Sequence, residues 1–81
     1  MRIRVKLFAA AREIAGSGEA VVEVRDGATV ADVRQSLLSQ VPKLGQIVPH
    51  ARWAVDAEFA GSDVVVTERS EVALIPPVSG G

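Results

Sequence analysis

The chain has 81 residues, 48% of them hydrophobic, and a formal net charge of −1. That composition makes one domain around one core, and its mixed charges offer no basic stripe for nucleic acid or an anionic membrane. The absence of cysteine excludes a disulfide framework and a thiol nucleophile.

The first residues have the apolar look of a secretory leader, but Arg4, Lys6, Arg12 and Glu13 interrupt the run. No segment reaches the roughly 18 apolar residues of a membrane span, so a cytoplasmic protein is expected. Residues 2–8 alternate, with Ile3, Val5 and Leu7 on one side and Arg2, Arg4, Lys6 and Phe8 on the other. A period of two predicts a half-buried strand, with an aromatic on its polar face. Ala9 to Ala15 is rich in helix formers and stops at Gly16, which predicts a short helix with a glycine C-cap.

After a Gly16-Ser-Gly18 turn, Glu19 to Arg25 alternates again, with Ala20, Val22 and Val24 inward. Asp26-Gly27 signals a turn. Thr29 to Val41 reads as the main helix, with Thr29 as N-cap and Asp32 completing a capping box. Val30, Val33, Leu37 and Val41, joined by Leu38, form its apolar stripe, and Pro42 ends it. Residues 42–51 read as irregular. Arg52 to Ala57 predicts a strand with Trp53 and Val55 inward. A turn in Asp56–Glu58 leaves the direction of Phe59 open. Ala60 to Asp63 reads as a loop, and Val64 to Thr67 as a short strand at most. Glu68-Arg-Ser70 turns the chain into a last strand, Glu71 to Ile75, with Val72 and Leu74 inward and Ala73 and Ile75 outward.

These elements predict an α+β fold. One main helix packs on one face of a mixed sheet of four to five strands, and a short helix follows the first strand. The first and last strands can pair in parallel at the sheet's centre, because a long crossover separates them. Phe8 and Ile75 would then share the outer face, an apolar patch suited to docking a partner. The globular domain is expected over 1–75, with an extended tail over 76–81.

That tail is the most informative segment. Pro76-Pro77-Val78-Ser79 leads to Gly80-Gly81. Proline restricts φ, which stiffens the stem, and glycine has no Cβ, which makes the tip thin. Such a tip can thread a narrow channel and offer a terminal carboxylate to another protein's active site. A carboxylate becomes reactive once its oxygen is made a leaving group, as in an acyl-adenylate. This chain has no Gly-x-x-x-x-Gly-Lys-Ser/Thr phosphate cradle, so a second protein must supply the ATP chemistry.

Other residues carry less. His50 is the only histidine, without cysteine partners, and reads as a surface residue rather than a metal ligand. No serine sits in a Gly-x-Ser-x-Gly context, and the carboxylates are scattered. Arg12 and Glu13 read as a solvated helix face, and Trp53 as core or core edge.

Leu7-Phe-Ala-Ala-Ala-Arg-Glu-Ile-Ala-Gly16, Ala54-Val-Asp56 and Glu71-Val-Ala-Leu-Ile-Pro-Pro-Val-Ser-Gly-Gly81 resemble the small subunits of molybdopterin synthase. That is a sulfur-carrier family with the ubiquitin-like β-grasp fold. The resemblance implies that an E1-like adenylyltransferase activates Gly81 with ATP, and that a sulfur donor acting through this system leaves a thiocarboxylate. No cofactor is bound by the chain itself. It further implies that residues 76–81 insert into the large synthase subunit, in a heterotetramer of two small and two large chains, to sulfurate cyclic pyranopterin monophosphate. Phe8, Phe59 and Ile75 match the family's docking positions. Two departures stand out: Asp56 replaces the usual Asn, and Glu68-Arg-Ser70 replaces the usual Asp-Gly-Asp. A carrier for thiamine or tRNA thiolation, a modifier joined to lysines, and a binding module with an incidental diglycine are the alternatives.

Overall fold

The computed structural model describes residues 1–77. Strand β1 (Arg2–Leu7) follows the predicted alternation, with Ile3, Val5 and Leu7 buried and the charged residues outside. Phe8 departs from that strand. It caps helix α1 (Ala9–Ala15) in an extended conformation, φ −122° and ψ 157°. At the other end Gly16 takes φ 74° and donates its N–H to the Arg12 carbonyl at 2.9 Å, the left-handed cap that glycine adopts without steric cost.

Strand β2 (Glu19–Glu23) returns antiparallel to β1. Val22 is fully buried, while Ala20 and Val24 are half-buried against the core. Helix α2 (Val30–Gln40) begins at Thr29 as expected. The Asp32 carboxylate accepts the Thr29 N–H at 2.9 Å and the Thr29 hydroxyl at 3.2 Å. It also meets Arg25 at 3.2 Å. Val41 is the C-cap rather than a helical residue; the following Pro42 pushes it out of the helical region, to φ −130° and ψ 79°. Val30, Val33 and Leu37 bury the helix against the sheet, with Leu38 and Val41 half-buried beside them.

The Thr29 backbone N–H, above all, holds the Asp32 carboxyl below its ordinary value of 3.8, with the Thr29 hydroxyl and Arg25 adding to the effect. A depressed carboxyl stabilises the fold above its unfolded value, and that contribution disappears as pH falls through the folded value. Asp32→Asn, neutral at every pH, is therefore expected to melt below the wild type at pH 7. The gap should close below pH 3.8. A gap that stays constant in melts across that range would contradict the assignment.

Residues 42–51 are more regular than expected. They form two 3-10 segments, Pro42–Gln46 and Val48–His50, each with a proline near its start. Proline presets the φ that a helical first turn needs, and Leu44 and Val48 point into the core. Strand β3 (Arg52–Val55) buries Trp53 as expected, but Val55 is only half-buried and Ala54, on the opposite side, is 6% exposed. A two-residue turn leads to strand β4 (Glu58–Ala60), a strand where residue pattern predicts a turn at Asp56–Glu58 and a loop from Ala60. Val64–Thr67 forms no strand. Val65 makes one isolated bridge to Thr29, and Val66 fills the core.

Strand β5 (Val72–Ile75) buries Val72 and Leu74 and lies between β1 and β3. The sheet order is β2-β1-β5-β3-β4, with β1 and β5 parallel and every other pairing antiparallel. This is the expected mixed sheet with the first and last strands at its centre. Burying a Leu or Val side chain stabilises by about 1.5–3 kcal/mol, so Leu7, Leu37 and Leu74, packed in one cluster, fix the sheet and α2 together.

The chain leaves the core between two prolines: Pro76 is buried and Pro77 exposed.

A candidate docking site at the foot of the C-terminal stem

The outer face of the sheet is divided. Registers place Glu19, Val21 and Glu23 of β2 beside Arg2, Arg4 and Lys6 of β1. On the other half they place Ala73 and Ile75 of β5, Ala54 of β3 and Phe59 of β4. The first half is charged with both signs. A concavity of about 540 Å³ there also takes in Glu68, Arg69 and Glu71, and reads as a solvated face. The second half is apolar.

Phe8, Phe59 and Ile75 line one groove with Ala54, Ala57, Ala73, Lys6 and Glu71. Phe59 is 60% exposed and Phe8 47%, both unusual for large aromatics in a chain this small. The groove is open and measures about 260 Å³, below the roughly 300–1,000 Å³ of most small-molecule sites. Phe59's direction, which alternation left open, follows from the turn: Phe59 pairs with Ala54 across the hairpin and so shares its outward side. Ala54 is buried because it is the floor beneath that pair.

Backbone strain gathers around this groove. Among the described residues, the non-glycine residues with positive φ are Ala9 (48°), Asp56 (51°) and Ala57 (68°). Ala9 follows Phe8, and Asp56-Ala57 is the turn before Phe59. Left-handed conformations cost of order 1–3 kcal/mol each and persist where the surroundings enforce them. Here the enforcement is visible. The Asp56 N–H donates to the Glu71 carbonyl at 2.9 Å, and Asp56 Oδ1 accepts the Glu71 N–H at 2.9 Å. The carboxylate thus ties the β3–β4 turn to the start of β5. The second departure is equally contained. Ser70 donates its N–H to the Thr67 carbonyl at 2.9 Å, and its hydroxyl accepts the Thr67 N–H at 2.9 Å. No residue of Glu68–Ser70 has positive φ, so this turn needs no glycine.

Lys6 and Glu71 close one rim of the groove at 2.7 Å. The hydrogen bond to Glu71 raises the Lys6 ammonium above its ordinary value. Arg52 lines an adjoining concavity that shares Phe59 with the groove, its guanidinium carbon 3.6 Å from the centre of the Phe59 ring. Residue pattern carries no signal for this contact, because Arg52 and Phe59 meet only once the hairpin register is set. Of the tail, Pro76 and Pro77 are described; Val78, Ser79, Gly80 and Gly81 lie outside the described residues. Among the described residues no group of His and carboxylates could hold a metal. No helix among them is long and apolar enough to cross a membrane.

A five-stranded β-grasp sheet under one main helix, with an apolar groove at the root of a diglycine stem, defines a ubiquitin-like carrier. The model of the ThiS family matches residues 5–81, and the chain belongs to that family of sulfur carriers. The "Molybdopterin synthase sulfur carrier subunit" of Chlamydomonas reinhardtii is 34% identical over 83 residues, covering all of both chains. "Small archaeal modifier protein 1" of Haloferax volcanii is 36% identical over 84 residues, covering 94% of this chain and 97% of that one. Its crystal structure matches with a TM-score of 0.90 at 32% identity, over the whole of both chains.

Proposed function

We propose that this chain is the small, sulfur-carrying subunit of a molybdopterin synthase. One observation carries the reading. Phe8, Phe59 and Ile75 come from three separate elements, yet they line a single groove, and Ile75 is two residues from the last described residue of the diglycine stem. A docking surface in that place lets a partner grip the globule while the terminus enters its active site.

The chemistry belongs to Gly81. Its carboxylate attacks the α-phosphate of ATP on an E1-like enzyme, forming an acyl-adenylate and releasing pyrophosphate. A sulfide equivalent from the donor then displaces AMP and leaves a thiocarboxylate. The large subunit receives the tail and supplies the catalytic groups for the pterin, in an assembly of two small and two large chains in the cytoplasm. The small chain is a co-substrate and is inert alone. Gly80 gives steric access, and Pro76 and Pro77 direct the tail.

Its likeness to a small archaeal modifier protein supports a second reading, in which the same activated glycine is joined to lysines. Intact mass after co-expression with the activating enzyme separates the two. Replacing one carboxylate oxygen by sulfur adds about 16 Da, and conjugation adds a whole protein. A chain that gains neither would sink both readings.

A further inference from the structure

We propose that Arg52 selects the partner at this groove: its guanidinium, stacked on Phe59, receives a carboxylate of the docking protein beside the apolar socket that takes the ring. The inference rests on the groove being a protein-docking surface, as proposed above, and adds the charge chemistry of the partner.

Lys6 is occupied by Glu71 at 2.7 Å, so that cation and anion cancel internally. Arg52 is exposed, lines the same edge as Phe59, and makes no ion pair among the described residues. Its guanidinium carbon sits 3.6 Å from the ring centre, the distance of a planar cation lying against an aromatic face. Stacking uses the flat side of the guanidinium and leaves its N–H edge open, in the fork geometry that matches a carboxylate. The ring is not closed off by this contact, since Phe59 remains 60% exposed. Arg52 also lies directly opposite Ile75 in the β3–β5 register. The open charge therefore stands beside the strand that leads into the tail. A partner fitting this edge needs an apolar socket with an Asp or Glu at its border. Partners lacking that acid leave Arg52 desolvated and unpaired, which discriminates against them.

The test uses the full-length chain and the large molybdopterin synthase subunit from the same organism, with association rates measured at low and high salt. Arg52→Gln is expected to slow association about 10-fold at low salt and to flatten its salt dependence. Arg52→Lys should keep the salt dependence, because it keeps the charge. Arg52→Glu should be slower still, and one Asp or Glu to Lys substitution on the partner should restore it. If Arg52→Gln associates at the wild-type rate with the wild-type salt dependence, Arg52 only packs on the ring and the inference is overturned. Phe59→Ala separates the two levels. Weakened binding there with an unchanged Arg52→Gln removes the charge assignment alone. Unchanged binding in Phe59→Ala removes the docking reading, and the inference with it.

Discussion

A chain that lacks Gly81, or carries one residue beyond it, is expected to transfer no sulfur while melting at the wild-type temperature. Each deletion or addition moves the terminal carboxylate by up to about 3.3–3.6 Å along an extended chain. A misplacement of about 1 Å at a reacting centre can cost roughly 100-fold in rate, so a shift several times larger leaves no measurable turnover. Folding should not notice the change, because the last buried residue among those described is Pro76. The measurement is pterin sulfuration with the large subunit, alongside a thermal melt. Activity in the Gly81-deleted chain would refute the proposed chemistry.

Phe59→Asp should separate folding from docking at the other end of the mechanism. Phe59 is 60% exposed in the free chain, so its removal leaves no core cavity. In a complex the same ring would be a central anchor, and anchors of this kind cost about 2–4 kcal/mol when lost, or roughly 30- to 1,000-fold in Kd. A carboxylate placed in the groove adds desolvation to that loss, and it removes the face on which Arg52 rests. Titration calorimetry against the large subunit reads the effect. A Kd within a factor of two of wild type would rule out the groove as the docking surface.

Much of the architecture is legible from residue pattern. β1 and β5 alternate over enough residues to declare their inward faces, and α1 and α2 carry their own stop and start signals in Gly16, Thr29, Asp32 and Pro42. The failures have physical causes. β4 is three residues long, too short to display a period, and its turn is built from Asp56 and Ala57 at positive φ, where glycine or asparagine would have signalled a hairpin. Val64–Thr67 has strong strand propensity, but Val66 is drawn into the core and a single bridge forms. Val55 stays half-buried because it ends β3, one residue before the turn. The apolar groove is legible in part. Phe8 and Ile75 could be placed on one face from alternation and strand order. Phe59, Ala54 and Arg52 could not be assembled without the exact length of that turn.

The parallel pairing of β1 with β5 carries a consequence for biosynthesis. β5 supplies the middle of the sheet, yet it spans residues 72–75, so the sheet cannot close until synthesis has passed residue 75. A product terminated before residue 72 lacks the keystone strand. Such a product exposes the flanks of β1 and β3 to proteases. Closure of the sheet is thereby tied to the late emergence of a single short strand.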